Sequence, residues 1–148
     1  MIAVVQRVTR AEVRIGGAVT GRIDRGLLVL VCAERGDTDA DLDRLSDKVL
    51  HMRVFDDSAG RMNLSALETG AAILVVSQFT LAADLSRGRR PGFERAMPPA
   101  EAEVLYEGLV ERLRRGPLRI ETGRFRERMD VELINDGPVT LIVGGQQR

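Results

Sequence analysis

The four residues Ser77-Gln78-Phe79-Thr80 place two hydroxyls, an amide and an aromatic ring in succession where the apolar run Ala71 to Val76 ends. Polar groups at the end of a buried strand sit on a rigid support, where reacting groups are best held in position. A plain polar strand terminus, with Phe79 turned into the core, has the same spacing, and these residues alone leave both readings open. Two further stretches carry chemical potential. Asn135-Asp136-Gly137-Pro138 interrupts an alternating apolar pattern with a residue that removes a ladder donor, and X-Pro bonds are cis in only about 5 to 6% of cases. Read by itself it is a turn between two strands. Arg87, Arg89 and Arg90 crowd a glycine- and proline-rich segment, either as a solvated face or as a grip on phosphates.

Other chemistries are poorly supplied. The chain has one His and one Cys. A Ser-His-Asp arrangement would have to use His51, which falls near the end of a helical pattern, where a histidinium meets the helix dipole favourably; His51 is read as structural. Cys32 lies inside Leu27 to Ala33 and reads as a small buried hydrophobe, without an intramolecular disulfide and suited to a reducing compartment. One imidazole and one thiol make a transition-metal site improbable, and neither a Walker-type loop nor a G-x-G-x-x-G after a strand is present, so neither metal nor cofactor is expected. With 22 basic and 22 acidic residues the formal net charge is zero, which argues against blanket nucleic-acid coating but leaves room for a local basic patch. All the basic residues but Lys48 are Arg, so anion sites would be built from guanidinium forks. The longest apolar runs are far short of the ~18 residues of a membrane span, and the start lacks a signal-peptide core, so a cytoplasmic protein is expected.

The elements that must position these residues follow from periodicity. Alternation from Ile2 to Ile15, a break at Gly16-Gly17 and a second run over Ala18 to Ile23 predict a hairpin. Leu27 to Ala33 and Ala71 to Phe79 read as strands buried on both faces. Leu42, Leu45, Val49 and Met52 recur at three and four residues, with Thr38 as N-cap and Asp41 in capping-box position, so a helix runs to about His51. Arg53-Val54-Phe55 reads as a short strand before the loop Asp56 to Gly60. Ala82 to Pro99 is a long exposed loop of the kind that usually carries function. A second helix starts near Pro99 or Ala100, carries Leu105, Leu109 and Leu113, and stops at Gly116-Pro117. Leu118 to Thr122, Met129 to Ile134 and Val139 to Val143 are strands, and 144–148 a frayed tail. The sum is one α+β domain over 1–148, with mostly antiparallel sheets, barrel-like or layered, and two principal helices.

In this order, Ser77-Gln78-Phe79-Thr80-Leu81, Gly88-Arg89-Arg90-Pro91 with Phe93, and Asn135-Asp136-Gly137-Pro138-Val139-Thr140 resemble the D-aminoacyl-tRNA deacylase family. Gln6-Arg7-Val8, Met62-Asn63-Leu64-Ser65 and Glu121-Thr122-Gly123-Arg124-Phe125 before Met129 are similar to that family too, so the likeness spans Met1 to about Val143. Gly92 departs from the polar residue expected before Phe93.

The resemblance implies a homodimer that hydrolyses D-aminoacyl esters at the 3′ end of tRNA, accepts glycine mischarged on tRNA(Ala), and spares L esters. It implies a cis Gly137-Pro138 peptide inserted into the partner subunit's site, where an L side chain is excluded. Asn135 belongs to that motif, Arg7 would hold its loop by bonding carbonyls, and Met129 would flank it. Ser77, Gln78, Phe79 and Thr80 become the catalytic segment. Backbone N–H groups around Phe79 and Thr80 would stabilise the oxyanion, and the ribose 2′-OH would assist water; Thr80 as covalent nucleophile is the alternative. Arg87, Arg89 and Arg90 would meet tRNA phosphates. A tRNA-end binding module without turnover and a purely structural homodimer remain as readings from other classes.

Overall fold

A computed structural model describes residues 1–145. In chain order the elements are β1 (Ile2–Ile15), β2 (Ala18–Ile23), β3 (Gly26–Cys32), α1 (Asp39–His51), β4 (Phe55–Asp56), β5 (Met62–Leu64), α2 (Ala66–Thr69), β6 (Ala72–Ser77), a 3₁₀ turn (Phe79–Ala82), α3 (Pro99–Arg114), β7 (Ile120–Thr122) and β8 (Asp130–Gly144). The hairpin and both principal helices stand where periodicity puts them. The Thr38/Asp41 capping box closes the start of α1.

β1 is long enough to serve three partners. Its first half pairs antiparallel with β3, its second half with β2, and its other edge with β8 almost end to end. β3 and β6 then pair in parallel, as do β6 and β7, so the sheet is mixed beyond the antiparallel hairpin region. β2 and β7 end the path β2-β1-β3-β6-β7. They meet: a Cβ added to Gly21 of β2 would lie 2.5 Å from the Thr122 carbonyl oxygen of β7, so the sheet nearly closes on itself. Gly26 admits a similar approach, since its Cβ would fall 1.9 Å from the Ala72 carbonyl oxygen.

The uniform apolar runs of β3 and β6 are explained by two cores. Leu27, Val29, Ile73 and Val75 face α1 and α3, joined there by Leu42, Val49, Leu109 and Leu113. Leu28, Leu74 and Val76 face the interior of the curved sheet with Val8, Val13 and Ile23. Both strand faces are therefore dry, and each fully buried Leu or Val stabilises the fold by about 2 kcal/mol.

Several expectations are corrected. Asn135 to Pro138 does not reverse the chain: β8 runs through it as one strand, and the pairing with β1 shifts register between Gln6 and Val8 and between Val8 and Arg10. Extra residues in one strand are absorbed as a bulge, which a short-range pattern does not distinguish from a turn. The β6 strand ends at Ser77, so Phe79 opens the 3₁₀ turn and is 58% exposed rather than core. Gly144 is not frayed, because it pairs with Ile2, and Gly145 N–H donates to the Met1 carbonyl at 2.7 Å. Residues 146–148 lie outside the described residues. The short strand after α1 is Phe55–Asp56, paired with β5, and the brief α2 with its Ser65/Glu68 capping box was not foreseen. No helix among the described residues is long and apolar enough to cross a membrane.

Candidate active site

The parallel strands β3 and β6 end side by side, with Val31 opposite Ser77. Ligand crevices form where parallel strands stop at their carboxyl ends, and here a cavity of about 670 Å³ opens at that point. Ser77 lines it from the end of β6, Gln78 and Phe79 from the 3₁₀ turn that follows, Phe93 and Met97 from the long loop, and Met129 from the approach to β8. The Phe79 and Phe93 rings meet edge to face, centroids 5.0 Å apart. Tyr106 of α3 closes the floor: its hydroxyl donates to the Val75 carbonyl at 3.0 Å and its ring packs on Phe125.

The turn after Ser77 leaves donors free. Gln78 N–H is tied to the Val31 carbonyl at 2.8 Å, while Leu81 N–H and Ala83 N–H close the 3₁₀ turn on the Gln78 and Thr80 carbonyls. The N–H groups of Phe79 and Thr80 bond no acceptor among the described residues. Gln78 Nε2 donates to Thr80 Oγ1, so amide and hydroxyl hold one another. Thr80 is exposed and stands beside the cavity rather than in its lining.

Among the described residues no imidazole lines this cavity, and its carboxylate is Glu127. His51 closes α1, away from the cavity, with its Nδ1 3.1 Å from Asp47 Oδ1 in its own helix. Cys32 lines the cavity behind Phe79, but burial, reinforced by the charge of Glu34, pushes its thiol up to about 11. Its Sγ–H donates weakly to the Ala33 carbonyl at 3.3 Å and the Phe79 carbonyl at 3.6 Å. Burial likewise pushes the Tyr106 phenol up to about 12. Both stay protonated at neutral pH, so neither supplies a nucleophilic anion.

Gly137 and Pro138 lie elsewhere. Their peptide is cis, both residues are exposed, and neither lines the cavity of its own chain. Beneath them Arg7 is 6% exposed, with Nη1 donating to the Val54 carbonyl at 2.7 Å and to Asp56 Oδ1 at 3.2 Å. Arg7 Nε lies 3.1 Å from Asp136 Oδ2, a charge contact in which the N–H is not aimed at the oxygen. Arg7 thus bonds one carbonyl outside the loop and the Asp56 carboxylate, and meets Asp136 of the loop by charge contact, rather than bonding the loop's own carbonyls. Asn135 Nδ2 donates to Thr140 Oγ1 at 2.9 Å, and its buried Oδ1 accepts no bond among the described residues. Met129 packs on Gly123 and faces the cavity with Phe79, so it does not flank Gly137 of its own chain.

Arg87, Arg89 and Arg90 are exposed on a loop pinched off where Asp84 and Gly92 exchange backbone hydrogen bonds. Phe93, Tyr106 and Phe125 form an aromatic wall of the site; the sequence offers Phe93 and Phe125 only as members of family-like motifs, with no site role, and Tyr106 in none. The wall's sequence signal was thin: the chain holds one Tyr and four Phe, three of them at or beside this cavity.

The D-Tyr-tRNA(Tyr) deacylase family model matches residues 4–144. A D-aminoacyl-tRNA deacylase of Anaeromyxobacter dehalogenans is 54% identical over 147 residues, covering 99% of both chains. A solved structure of a c-Myc DNA unwinding element binding protein superimposes with a TM-score of 0.94 at 41% identity, over 99% of this chain and 100% of that one. A probable eukaryotic D-amino acid tRNA deacylase shares the fold at TM-score 0.82 and 17% identity, over 96% and 97%. With the matching model spanning the sheet, the Ser77–Thr80 corner and the Gly137-Pro138 segment alike, this chain belongs to the D-Tyr-tRNA(Tyr) deacylase family.

Proposed function

We propose that the protein hydrolyses the ester joining a D-amino acid, or glycine mischarged on tRNA(Ala), to the 3′-terminal adenosine of tRNA, and leaves L esters intact. The observation that carries this reading is the pair of unbonded N–H groups at Phe79 and Thr80, on the rim of a largely apolar cavity that no imidazole lines. An aminoacyl ester is an activated acyl group beside a free ribose 2′-OH. The protein then needs only to position it and to stabilise the oxyanion, each well-aimed donor contributing about 3 kcal/mol to the transition state. The 2′-OH orients the attacking water. Ser77 and Gln78 position the ester and the turn, and Thr80 acts through its N–H rather than as nucleophile.

Selection against L esters needs a wall on one side of the α-carbon. Gly137 and Pro138 fit that role only in another copy's cavity, and the chain offers a surface for such a copy. Among the described residues β8 pairs only with β1, which leaves its other edge open, and on β8 Ile142 is 74% exposed, with Ile134 and Leu141 exposed too. An open edge with exposed apolar side chains favours association with a second copy. The protein works as a homodimer in which Gly137 and Pro138 of the partner subunit close the cavity. Asn135, held by Thr140, and Arg7 below keep that segment in place, and Met129 of the receiving subunit faces it. Arg87, Arg89 and Arg90 engage phosphates of the acceptor stem. Acting on tRNA, it works in the cytoplasm.

The test is release of label from D-Tyr-tRNA, Gly-tRNA and L-Tyr-tRNA at matched enzyme concentration. Turnover of the first two with the L ester spared is the expected result. Binding of tRNA without release from any ester would make the protein a binding module. Full rate on a D-Tyr-tRNA ending in 2′-deoxyadenosine would remove the 2′-OH from the mechanism.

A further inference from the structure

A second cavity, of about 640 Å³, lies between the segment after β3, one flank of α1 and the end of β8. It shares Met1 and Arg35 with the reactive cavity, so the two hollows meet at those residues. Its acids are already engaged. Asp37 accepts from the N-terminal ammonium and from Glu34 N–H at 2.6 Å, Asp41 from Thr38 N–H and Arg44, and Glu34 from Arg95. Its cations are not all matched in this way. Lys48, the chain's one lysine, is exposed and pairs with no carboxylate among the described residues. Arg35 is exposed as well; its Nε donates to the Glu94 carbonyl at 2.8 Å, which anchors the side chain, and its Nη groups bond no acceptor among the described residues. Val143, Gly144 and Gly145 line it from the end of β8, the two glycines adding no side chain there.

We infer that this second cavity is the track along which the phosphates just before the terminal adenosine leave the reactive cavity, held by Arg35 at the junction and Lys48 beyond it. The inference rests on the deacylase reading and adds the route of the single-stranded 3′ end. A chain with zero net charge must bind a polyanion through local surplus, and a trough whose acids are internally neutralised while two cations remain unpaired supplies it. A guanidinium at the junction offers a fork to one phosphate, and the Lys48 ammonium, on the α1 flank of the trough, a point charge to the next. The track is separate from Arg87, Arg89 and Arg90, which the Asp84–Gly92 pinch holds on a different loop.

The experiment compares D-Tyr-tRNA with the D-tyrosyl ester of adenosine, which has no phosphate, using wild type, Arg35→Gln, Lys48→Gln, the double variant and Lys48→Arg. Each single-strand phosphate contact contributes a slope of about 0.7 in log affinity against log salt, or about 2.6-fold over a fourfold rise in salt. Each Gln variant is expected to raise KM for D-Tyr-tRNA and reduce its salt slope by about 0.7, and the double variant by about 1.4. In the Gln variants the ratio of kcat/KM on tRNA to that on the adenosine ester falls in step, and Lys48→Arg restores both slope and ratio. An unchanged slope in the double variant, or equal losses on both esters, overturns the track. So does loss of slope only in an Arg87→Gln/Arg89→Gln/Arg90→Gln variant. If wild type hydrolyses neither ester, the deacylase reading is what fails, and the salt slope of filter binding to uncharged tRNA still decides the track.

Discussion

Gly137→Ala tests how tightly the exposed Gly137-Pro138 segment is braced from below. Gly137 has φ +116°, a conformation that L side chains rarely adopt, and its added Cβ would lie 2.9 Å from Val139 Cγ2 and 3.0 Å from Arg7 Nη2. The backbone alone costs about 1 to 3 kcal/mol. Arg7 must also give way, and its charged hydrogen bond to the buried Val54 carbonyl is worth about 1.5 to 3 kcal/mol, part of which is lost. The sum is about 2 to 4 kcal/mol, less than the stability of an ordinary domain, so the variant stays folded. Urea titration is the assay, with Gly16→Ala as control: Gly16 also has positive φ, +57°, but an added Cβ there meets nothing within 4 Å. With an m-value of about 2 kcal/mol/M, the Gly137→Ala midpoint should fall by about 1 to 2 M and the control by about half a molar. In the esterase assay the D-to-L preference should drop at least about tenfold, a change of about 1.4 kcal/mol in discrimination. Equal midpoints for the two variants would refute the bracing by Arg7.

Thr80→Ala keeps both backbone donors and removes a hydroxyl that accepts from Gln78 Nε2, so kcat on D-Tyr-tRNA should fall by less than about tenfold. A loss beyond about a thousandfold in a folded variant would make the hydroxyl the nucleophile. Asp41 is held down from 3.8 to about 2, first by the Thr38 N–H and then by Arg44. Because the folded value lies below the unfolded one, its contribution is complete above about pH 4 and is lost as pH falls toward 2. Asp41→Asn should therefore melt lower than wild type at pH 7, by about 1 kcal/mol or less since the carboxylate faces solvent, and the gap should close between pH 4 and 2. A gap that persists unchanged at pH 2 in thermal melts would contradict this.

Much of the fold was legible because its signals are local. The Gly16-Gly17 hairpin, the Thr38/Asp41 box and the Pro99 start of α3 are each decided within a few residues, where a backbone pattern either fits or clashes. The failures share one cause. Asn135 to Pro138 reads as a turn only until β1 is known to run beside it, more than a hundred residues away in sequence, and to absorb the extra residues as bulges. Phe79 continues an apolar run, but β6 has no partner beyond Ser77, so the ladder stops and the ring turns out to meet Phe93. The resemblance implies an Arg7 that grips the loop's carbonyls; that it is buried between Val54, Asp56 and Asp136 depends on three separate segments converging.

By itself the sequence determined the class of the domain, the shortage of bases and thiols, and the two short motifs that align it with one family. Those are properties of residue type and near spacing, and they survive without coordinates. Only the tertiary structure decided that the Ser77–Thr80 corner and Gly137-Pro138 are apart within one chain, that Phe79 and Thr80 keep unbonded N–H groups, and that Lys48 and Arg35 lie along a trough joined to the reactive cavity. These depend on which strands end together and which carboxylates find partners, and both are set by contacts between residues far apart in the chain.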